Sequence, residues 1–102
     1  MIKDIYLNPQ SEKDLSIIYE YTFITFGLNQ AELYQDQLFE GMKMIQDYEE
    51  IGEAFEFKTF MYRKLKISKH LLFYRVDKDR IVIIRVLHER MNFDSSFWKD
   101  DS

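Results

Sequence analysis

The chain has 102 residues, of which 46% are hydrophobic, 17% aromatic and 31% charged, with three glycines and one proline. This composition is typical of a packed globular protein and excludes a disordered or collagen-like chain. The length predicts a single domain. Because the chain has no cysteine, it has no disulfide, no thiolate metal site and no cysteine nucleophile.

The formal net charge is −4, but the charges are distributed unevenly. Three basic and twelve acidic residues lie at or before Phe57, whereas eleven basic and six acidic residues follow it. From Lys58 to Arg90, ten basic residues accompany three acidic ones, which predicts an acidic or anionic partner. Residues 1–9 lack the apolar core of a signal peptide, and no run reaches the roughly 18–20 apolar residues of a membrane span. We therefore expect a cytoplasmic protein with no membrane contact.

The first elements predicted are a short strand at 2–7 and two helices. Asn8-Pro9 provides an N-cap and a first-turn proline for the first helix, which Gly27 ends. The string Asn29-Gln30-Ala31-Glu32 resembles a capping box at the start of the second helix. Apolar residues also occur off the core-facing stripe of the first helix and predict that it is covered on more than one side: Ile17, Tyr21, Phe23 and Ile24.

The second half of the chain predicts three strands, at 60–67, 70–76 and 81–87, joined as an antiparallel meander. The acidic segment 47–56 is expected to be a solvated connector and not a metal site, because its carboxylates show no ligand spacing. The order β-α-α-β-β-β predicts an α+β fold in which an antiparallel helical hairpin covers one face of a sheet. Residues 1–90 form the domain and residues 91–102 a C-terminal tail.

The predicted strands have two apolar faces. A turn centred on Lys78-Asp79 places Val76 opposite Ile81 and Tyr74 opposite Ile83. Strict alternation then assigns Leu71, Phe73, Arg75, Val82, Ile84, Val86 and His88 to one face, and Leu72, Tyr74, Val76, Ile81, Ile83, Arg85 and Leu87 to the other. Since one helical hairpin covers one face, the second needs another cover: segment 93–98 of the same chain, a second copy, or a partner protein.

Two arginines, Arg75 and Arg85, lie within these apolar strands. A guanidinium in such a place must be ion-paired, must reach the sheet edge, or must hold an anion. An internal carboxylate such as Asp14 or Glu20 is one candidate partner for Arg85, and a bound anion is the other.

Several short motifs follow one another along the chain: Lys13-Asp14-Leu15 with Ile18, Tyr21-Thr22, Phe26-Gly27, Gln30-Ala31, Tyr34, Phe73-Tyr74-Arg75 and Arg85-Val86-Leu87-His88-Glu89-Arg90. Together they resemble the RelE/ParE superfamily of bacterial toxin–antitoxin modules, most closely its ParE branch. The resemblance implies a β-α-α-β-β-β fold, no cofactor, and arrest of host growth. It also implies a cognate antitoxin whose C-terminal segment wraps the toxin, with a homodimer or a toxin–antitoxin hetero-oligomer as the assembly.

The superfamily divides by mechanism: ParE-like members poison DNA gyrase, and RelE-like members cut mRNA on the ribosome. Cleavage without a metal needs an acid, a base and cations to stabilise phosphate. His88 could serve as the acid or base, and Arg63, Arg75 and Arg85 could hold phosphate. The acidic pI of about 5.1 disfavours binding to RNA. RelE-like enzymes also tend to carry a reactive tyrosine or histidine near the end of the chain, and here no tyrosine follows Tyr74, which leaves only His88.

We therefore expect a protein-binding inhibitor of DNA gyrase, with no firm catalytic residue and no metal. A ribosome-dependent endoribonuclease and a diverged, non-toxic binding member are the alternatives. Direct nucleic-acid binding is not expected, since no helix-turn-helix, zinc or RNP-like motif occurs. The candidate residues for binding the target or the antitoxin are Arg63, Lys66, Arg75, Arg85, His88, Arg90, Phe93, Phe97 and Trp98.

Overall fold

The computed structural model describes residues 2–91 and contains two helices and five strands. In chain order the elements are β1 (Asp4–Leu7), α1 (Pro9–Phe26), α2 (Leu28–Asp47), β2 (Glu53–Phe57), β3 (Phe60–Ile67), β4 (His70–Val76) and β5 (Arg80–His88). The predicted α+β fold class is therefore confirmed. The sequence-based assignments to the tail, including Phe93, Phe97 and Trp98, lie outside the described residues.

The start and end of α1 are those predicted from the sequence. The Asn8 Oδ1 atom accepts a hydrogen bond of 2.9 Å from the Ser11 N–H, and Pro9 occupies the first turn. At the other end, Gly27 has a φ of 94°, and its N–H donates to the Phe23 carbonyl. The predicted capping box at 29–32 is wrong. Helix α2 begins at Leu28 with no side-chain cap, because its N-cap residue is Gly27, whose carbonyl accepts the Ala31 N–H.

The five strands form one sheet in the order β1-β5-β4-β3-β2. Strand β1 pairs in parallel with β5, Asp4 opposite Arg80 and Leu7 opposite Ile83, and the other neighbours are antiparallel. The helical hairpin packs on one face. Its core joins Leu15 of α1 and three residues of α2 to strand side chains: Leu38, Met42, Ile45, Leu72, Tyr74, Ile81, Ile83 and Val86.

Strand β2 corrects one prediction, since its residues 53–56 belong to the acidic segment 47–56, which the sequence predicts as a solvated connector. The segment pairs with β3, with Glu53 opposite Lys64 and Phe57 opposite Phe60. Phe55 and Phe57 are half-buried against the face away from the helices, while Glu56 is exposed. In this short edge strand only Glu56 lies between two aromatic residues, and this alternation is too brief to stand out from the surrounding charges.

The register of the last hairpin is confirmed near its turn and wrong beyond it. Val76 lies opposite Ile81, and Tyr74 lies opposite Ile83, as predicted. A β-bulge follows, because Phe73 lies opposite Arg85 and leaves Ile84 as the extra residue. The bulge exchanges the later faces, so Val86 packs with the helices and Leu87 packs on the opposite face.

The face away from the helices is apolar, as predicted, and it is buried within the isolated chain. Its cluster contains Tyr62, Phe73, Val82, Ile84 and Leu87, none more than 7% exposed, with Phe55, Phe57 and Leu71 packed against it. A hollow of about 330 Å³ nevertheless lies on this face, lined by residues that include Phe55, Leu71, Phe73 and Leu87. The proposed cover by segment 93–98 lies outside the described residues.

Candidate functional site

Arg85, the strongest candidate for holding an anion, is paired internally. Its Nε and Nη2 atoms donate to the Asp14 carboxylate at 2.8 and 2.9 Å, and the Val86 N–H donates to the same carboxylate at 2.9 Å. The two side chains are 11% and 9% exposed. Of the explanations open from the sequence, the carboxylate partner is therefore the one observed, and it is Asp14 and not Glu20. The bidentate geometry is the strong form of an arginine–carboxylate pair.

Arg75 and Arg63 also have acceptors within the chain. The Arg75 guanidinium donates to both carboxylate oxygens of Asp77, at 2.8 and 3.0 Å. The Arg63 Nη1 atom donates to the carbonyls of Glu50 and Gly52, at 3.1 and 2.7 Å. Arg63 therefore stabilises the contact between β3 and the segment before β2, and Arg75 stabilises the turn before β5. Both contacts are structural.

Tyr74, which matches a family position, has a structural role in the same region. Its hydroxyl donates to the Glu49 carbonyl at 2.8 Å and accepts the Gly52 N–H at 2.9 Å. The residue is fully buried, and burial raises the pKa of its phenol. A Cβ atom on Gly52 would lie 2.6 Å from the Tyr74 hydroxyl oxygen and 3.0 Å from the Lys64 carbonyl oxygen, so this position admits only glycine without movement.

His88 lies at the end of β5 in a small cluster of polar rings. It is opposite His70, and the two ring centroids are 5.2 Å apart. The His88 Nδ1 atom accepts the Arg90 N–H at 3.1 Å. The Tyr34 hydroxyl of α2 lies 2.5 Å from His70 Nδ1 and accepts the Lys69 N–H at 3.2 Å. Which of the two atoms donates in the Tyr34–His70 bond depends on the tautomer of His70.

The electrostatics of this cluster favour the neutral form of His70. Burial, assisted by nearby His88, lowers the pKa of His70 from 6.5 to about 4. Lys66 lies beside the cluster and forms an ion pair of 2.8 Å with Glu89, and its hydrogen bond lowers the pKa of that carboxyl. The Tyr34–His70 contact joins α2 to β4. The sequence gives no sign of this contact, because no local pattern relates a helix position to a distant strand.

The candidate residues do not converge on one site. Arg75 lies opposite Val82, whereas His88 is six residues further along β5, a separation of about 20 Å. Lys66 and His88 are at the same end of the sheet, with exposed Arg90 following His88, whereas Arg63 lies opposite Tyr74 in the middle of β3. The structure thus brings together Lys66, His88 and Arg90 and separates them from Arg75.

Two further observations describe what residues 2–91 contain. No helix in this part of the chain is both long and apolar enough to cross a membrane. Nor do three or more of its His, Asp and Glu side chains converge as a metal ion would need. The polar groups of the described residues form ion pairs and buried hydrogen bonds within the chain, and charged side chains of β2 and β3 are exposed.

Comparison with known proteins identifies the family. The model of the ParE toxin of the type II toxin–antitoxin system parDE matches residues 5–93, nearly the whole chain. The chain belongs to the ParE toxin family. Toxin ParE1 of Mycobacterium tuberculosis (strain CDC 1551 / Oshkosh) is a ParE relative 35% identical over 89 residues, which cover 86% of this chain and 91% of that protein. Toxin ParE1 of Caulobacter vibrioides is 34% identical over 91 residues, which cover 89% and 94%.

Solved structures support the ParE fold. A chain of the chromosomal ParDE TA system from P. aeruginosa superimposes with a TM-score of 0.74 at 19% identity, covering 85% of this chain and 96% of that one. The YoeB dimer from Staphylococcus aureus gives a TM-score of 0.51 at 22% identity, covering 86% and 98%. At these identities the likeness concerns the fold. The family-model match and the two ParE1 relatives confirm the sequence-based resemblance to the ParE branch, and the protein is a ParE-family toxin of a type II toxin–antitoxin system.

Proposed function

We propose that this ParE-family toxin arrests bacterial growth by binding and poisoning DNA gyrase, and that a cognate antitoxin neutralises it. The observation that carries the choice of a binding mechanism is the internal pairing of Arg85 with Asp14. The arginine best placed in sequence to stabilise a phosphate is held in the fold by a carboxylate and a neighbouring backbone N–H. Family membership supplies the class of toxin, and this pair favours protein binding over RNA cleavage.

The other parts that RNA cleavage would need are placed unfavourably. Arg75 and His88 are about 20 Å apart along the sheet, whereas an acid or base and a phosphate-binding cation must act on one phosphodiester. Arg63 holds two backbone carbonyls. These contacts position loops and strands, so a ribonuclease would have to break them or use other residues.

The exposed charges support a protein partner of opposite sign. Lys58, Lys66 and Lys69 are exposed on or next to β3, and they belong to the basic half of the chain. An acidic antitoxin segment, or an acidic region of gyrase, would complement them and dissociate more readily as salt increases. The similarity to a chain of a ParDE TA system supports an antitoxin as one such partner.

A supercoiling assay tests the target. Purified full-length toxin should inhibit DNA gyrase at micromolar concentration and should increase the amount of cleaved DNA held by the enzyme. His88→Ala should weaken inhibition less than Lys66→Glu does, because it does not reverse a charge of the basic half. Lys66→Glu should inhibit less, since it reverses an exposed charge of the basic half.

The alternatives predict different results. Unchanged gyrase activity, together with codon-linked mRNA cuts on translating ribosomes that His88→Ala abolishes, would establish the ribonuclease mechanism. Unchanged growth on expression without a partner would indicate a non-toxic binding member. Co-expression with the product of an adjacent small gene that has a DNA-binding N-terminus tests neutralisation: restored growth supports the antitoxin, and continued arrest opposes it.

A further inference from the structure

The sheet face away from the helices is buried, although both helices pack on the other face. None of the five side chains of its cluster is more than 7% exposed: Tyr62, Phe73, Val82, Ile84 and Leu87. The partly buried residues that pack against this cluster come from β2 and β4 of the same sheet. Side chains on one face of a sheet stand side by side and point away from it, so they do not enclose one another. The burial therefore needs a cover from another segment.

Helix α1 shows the exposure of an apolar surface that has no cover. Its Ile17, Tyr21 and Ile24 are 56%, 65% and 74% exposed, so the second cover that the sequence predicts for this helix is not found within residues 2–91. The strand cluster is almost fully buried by comparison, so its cover belongs to the isolated chain. Outside the described residues lie Met1 and the segment 92–102, and a single residue is too small to cover the face.

We infer that residues 92–102 dock on this sheet face, where Phe93 enters the hollow of about 330 Å³ and Asp94 lies beside Lys64. The hollow is lined mainly by apolar side chains of β2, β4 and β5, and Lys64 and His88 are also among its lining residues. Docking makes residues 92–102 part of the domain, whereas the sequence predicts a C-terminal tail.

The described part of the chain ends at the hollow itself. Met91 is one of the residues that line the hollow, and its N–H donates to the His88 carbonyl at 3.0 Å. Phe93 follows two residues later, so it lies within about 7 Å of Met91 even if the backbone between them is extended. Attachment through so short a linker gives the segment an effective concentration on the order of millimolar. A second copy of the chain at micromolar concentration would compete poorly for the same hollow.

The segment matches the sheet face in apolar area and in charge. It contains three aromatic residues, Phe93, Phe97 and Trp98, and three aspartates against one lysine. Aromatic side chains bury about 150–250 Å² each, which suits an apolar face that has no helix on it. The net negative charge of the segment is opposite to that of the basic half of the chain. The three aromatic residues therefore belong to the core of the toxin and not to a contact with a target.

Lys64 provides the positive charge at the hollow. Its Nζ atom lies 5.8 Å from the centroid of the Phe55 ring, which also lines the hollow. Glu53 lies opposite Lys64 on β2, but Lys64 forms no ion pair with it or with any other carboxylate of residues 2–91. A carboxylate that follows directly after Phe93 can therefore pair with this ammonium while the ring fills the hollow.

Trp98 is the only tryptophan of the chain, so its fluorescence tests the docking directly. A synthetic peptide of residues 92–102 provides the reference for an undocked segment. In the full-length protein we expect emission at shorter wavelength and several-fold weaker quenching by acrylamide than in the peptide, because docking removes the indole from water. Both properties should be unchanged on dilution, since the contact is intramolecular.

Two matched variants test the place of Phe93. Phe93→Asp puts a charge against the apolar hollow and should release the segment, so that the emission and quenching of Trp98 approach those of the peptide. Phe26→Asp makes the same substitution at an exposed position at the end of α1 and should leave both properties unchanged. Thermal unfolding should show that both variants remain folded.

A charge exchange tests the place of Asp94. Lys64→Glu and Asp94→Lys each create a pair of like charges and should each increase the quenching of Trp98. The double variant restores opposite charges and should return the quenching towards that of the parent, whereas additive effects would overturn this placement.

Three results would overturn the docking itself. They are emission and quenching of Trp98 equal to those of the peptide, equal effects of Phe93→Asp and Phe26→Asp, and emission that changes on dilution together with a dimer in sedimentation. The last result would assign the cover to the segment of a second copy. Since none of these measurements contains gyrase or an antitoxin, their outcome is independent of the proposed function.

Discussion

The carboxylate of Asp14, in the second turn of α1, accepts both hydrogen bonds that the Arg85 guanidinium directs to it from the middle of β5. The Val86 N–H donates to the same carboxylate, just beyond the point where β1 ends its pairing with β5. The Asp14 carboxylate therefore accepts a backbone N–H of β5 beyond the end of β1, and the Asp14–Arg85 pair joins the helical hairpin to the sheet.

Removing Asp14 should be strongly destabilising. Asp14→Ala leaves a nearly buried guanidinium and a backbone N–H without their acceptor, and we expect a loss of about 3–5 kcal/mol in the free energy of unfolding. Urea denaturation measures it. Asp77→Ala removes the partner of the more exposed Arg75 and should cost about 1 kcal/mol or less. Equal effects of the two substitutions would contradict the structural importance of the Asp14–Arg85 pair.

The Tyr74 hydroxyl gives a second prediction. Tyr74→Phe removes the acceptor of the Gly52 N–H and the donor to the Glu49 carbonyl, so we expect a loss of about 1–3 kcal/mol. Gly52→Ala should cost at least as much, because its Cβ meets both the hydroxyl oxygen and a backbone carbonyl of β3. Tyr21→Phe, on an exposed tyrosine, is the control and should change stability by less than about 0.5 kcal/mol.

Gly41 provides a test of close packing between α2 and the sheet. A Cβ at this position would lie 2.5 Å from the Ile67 side chain, so Gly41→Ala should destabilise by about 1–3 kcal/mol although alanine is the better helix former. Combining it with Ile67→Ala removes the clashing atoms. The double variant should therefore be more stable than the sum of the single effects predicts, and strict additivity would exclude the clash.

His70 makes stability depend on pH. Its pKa is about 4 in the folded protein and 6.5 for the unperturbed side chain, so the unfolded chain binds a proton first as the pH falls. The contribution of neutral His70 to the free energy of unfolding is therefore complete above pH 6.5 and is lost between pH 6.5 and about 4. Since the ring is partly solvated, we expect a loss of about 1–2 kcal/mol. Urea titrations across this range measure it.

The control for this pH dependence is His70→Phe, which removes the titrating group. Its stability should change less with pH between 6.5 and 4 than that of the parent. Tyr34→Phe should destabilise at neutral pH, because the Lys69 N–H and His70 Nδ1 lose their shared partner. If His70→Phe keeps the full dependence of the parent, another group is responsible.

The parts of the fold that could be predicted are those with local signals. Asn8, Pro9 and Gly27 define α1, because capping and backbone freedom act within a few residues. The turn at 77–80 sets the hairpin register for the same reason. The β-bulge at Ile84 could not be predicted, since it lies beside residues whose partner, Asp14, is distant in sequence.

In the candidate site, too, local features could be predicted from the sequence, whereas contacts between distant segments could not. The cost of an unpaired guanidinium correctly predicts that Arg85 needs a partner, and Asp14 was among the two carboxylates considered. The contact of Tyr34 with His70 and the binding of Arg63 to two carbonyls depend on how α2 and the connector lie on the sheet. Such contacts follow from tertiary structure and have no periodicity that a sequence could display.

The pairing of β1 with β5 has a consequence for synthesis of the toxin. Asp4 pairs with Arg80 and Leu7 with Ile83, so β1 has no neighbouring strand to pair with until β5 has been synthesised. A nascent chain still lacking β5 has neither the partner of β1 nor that of Asp14. Because pairing between distant segments is slow and must follow closure of a long loop, the five-stranded sheet can form only after β5 has been translated. A nascent chain that has not yet reached β5 therefore cannot adopt the structure described for residues 2–91.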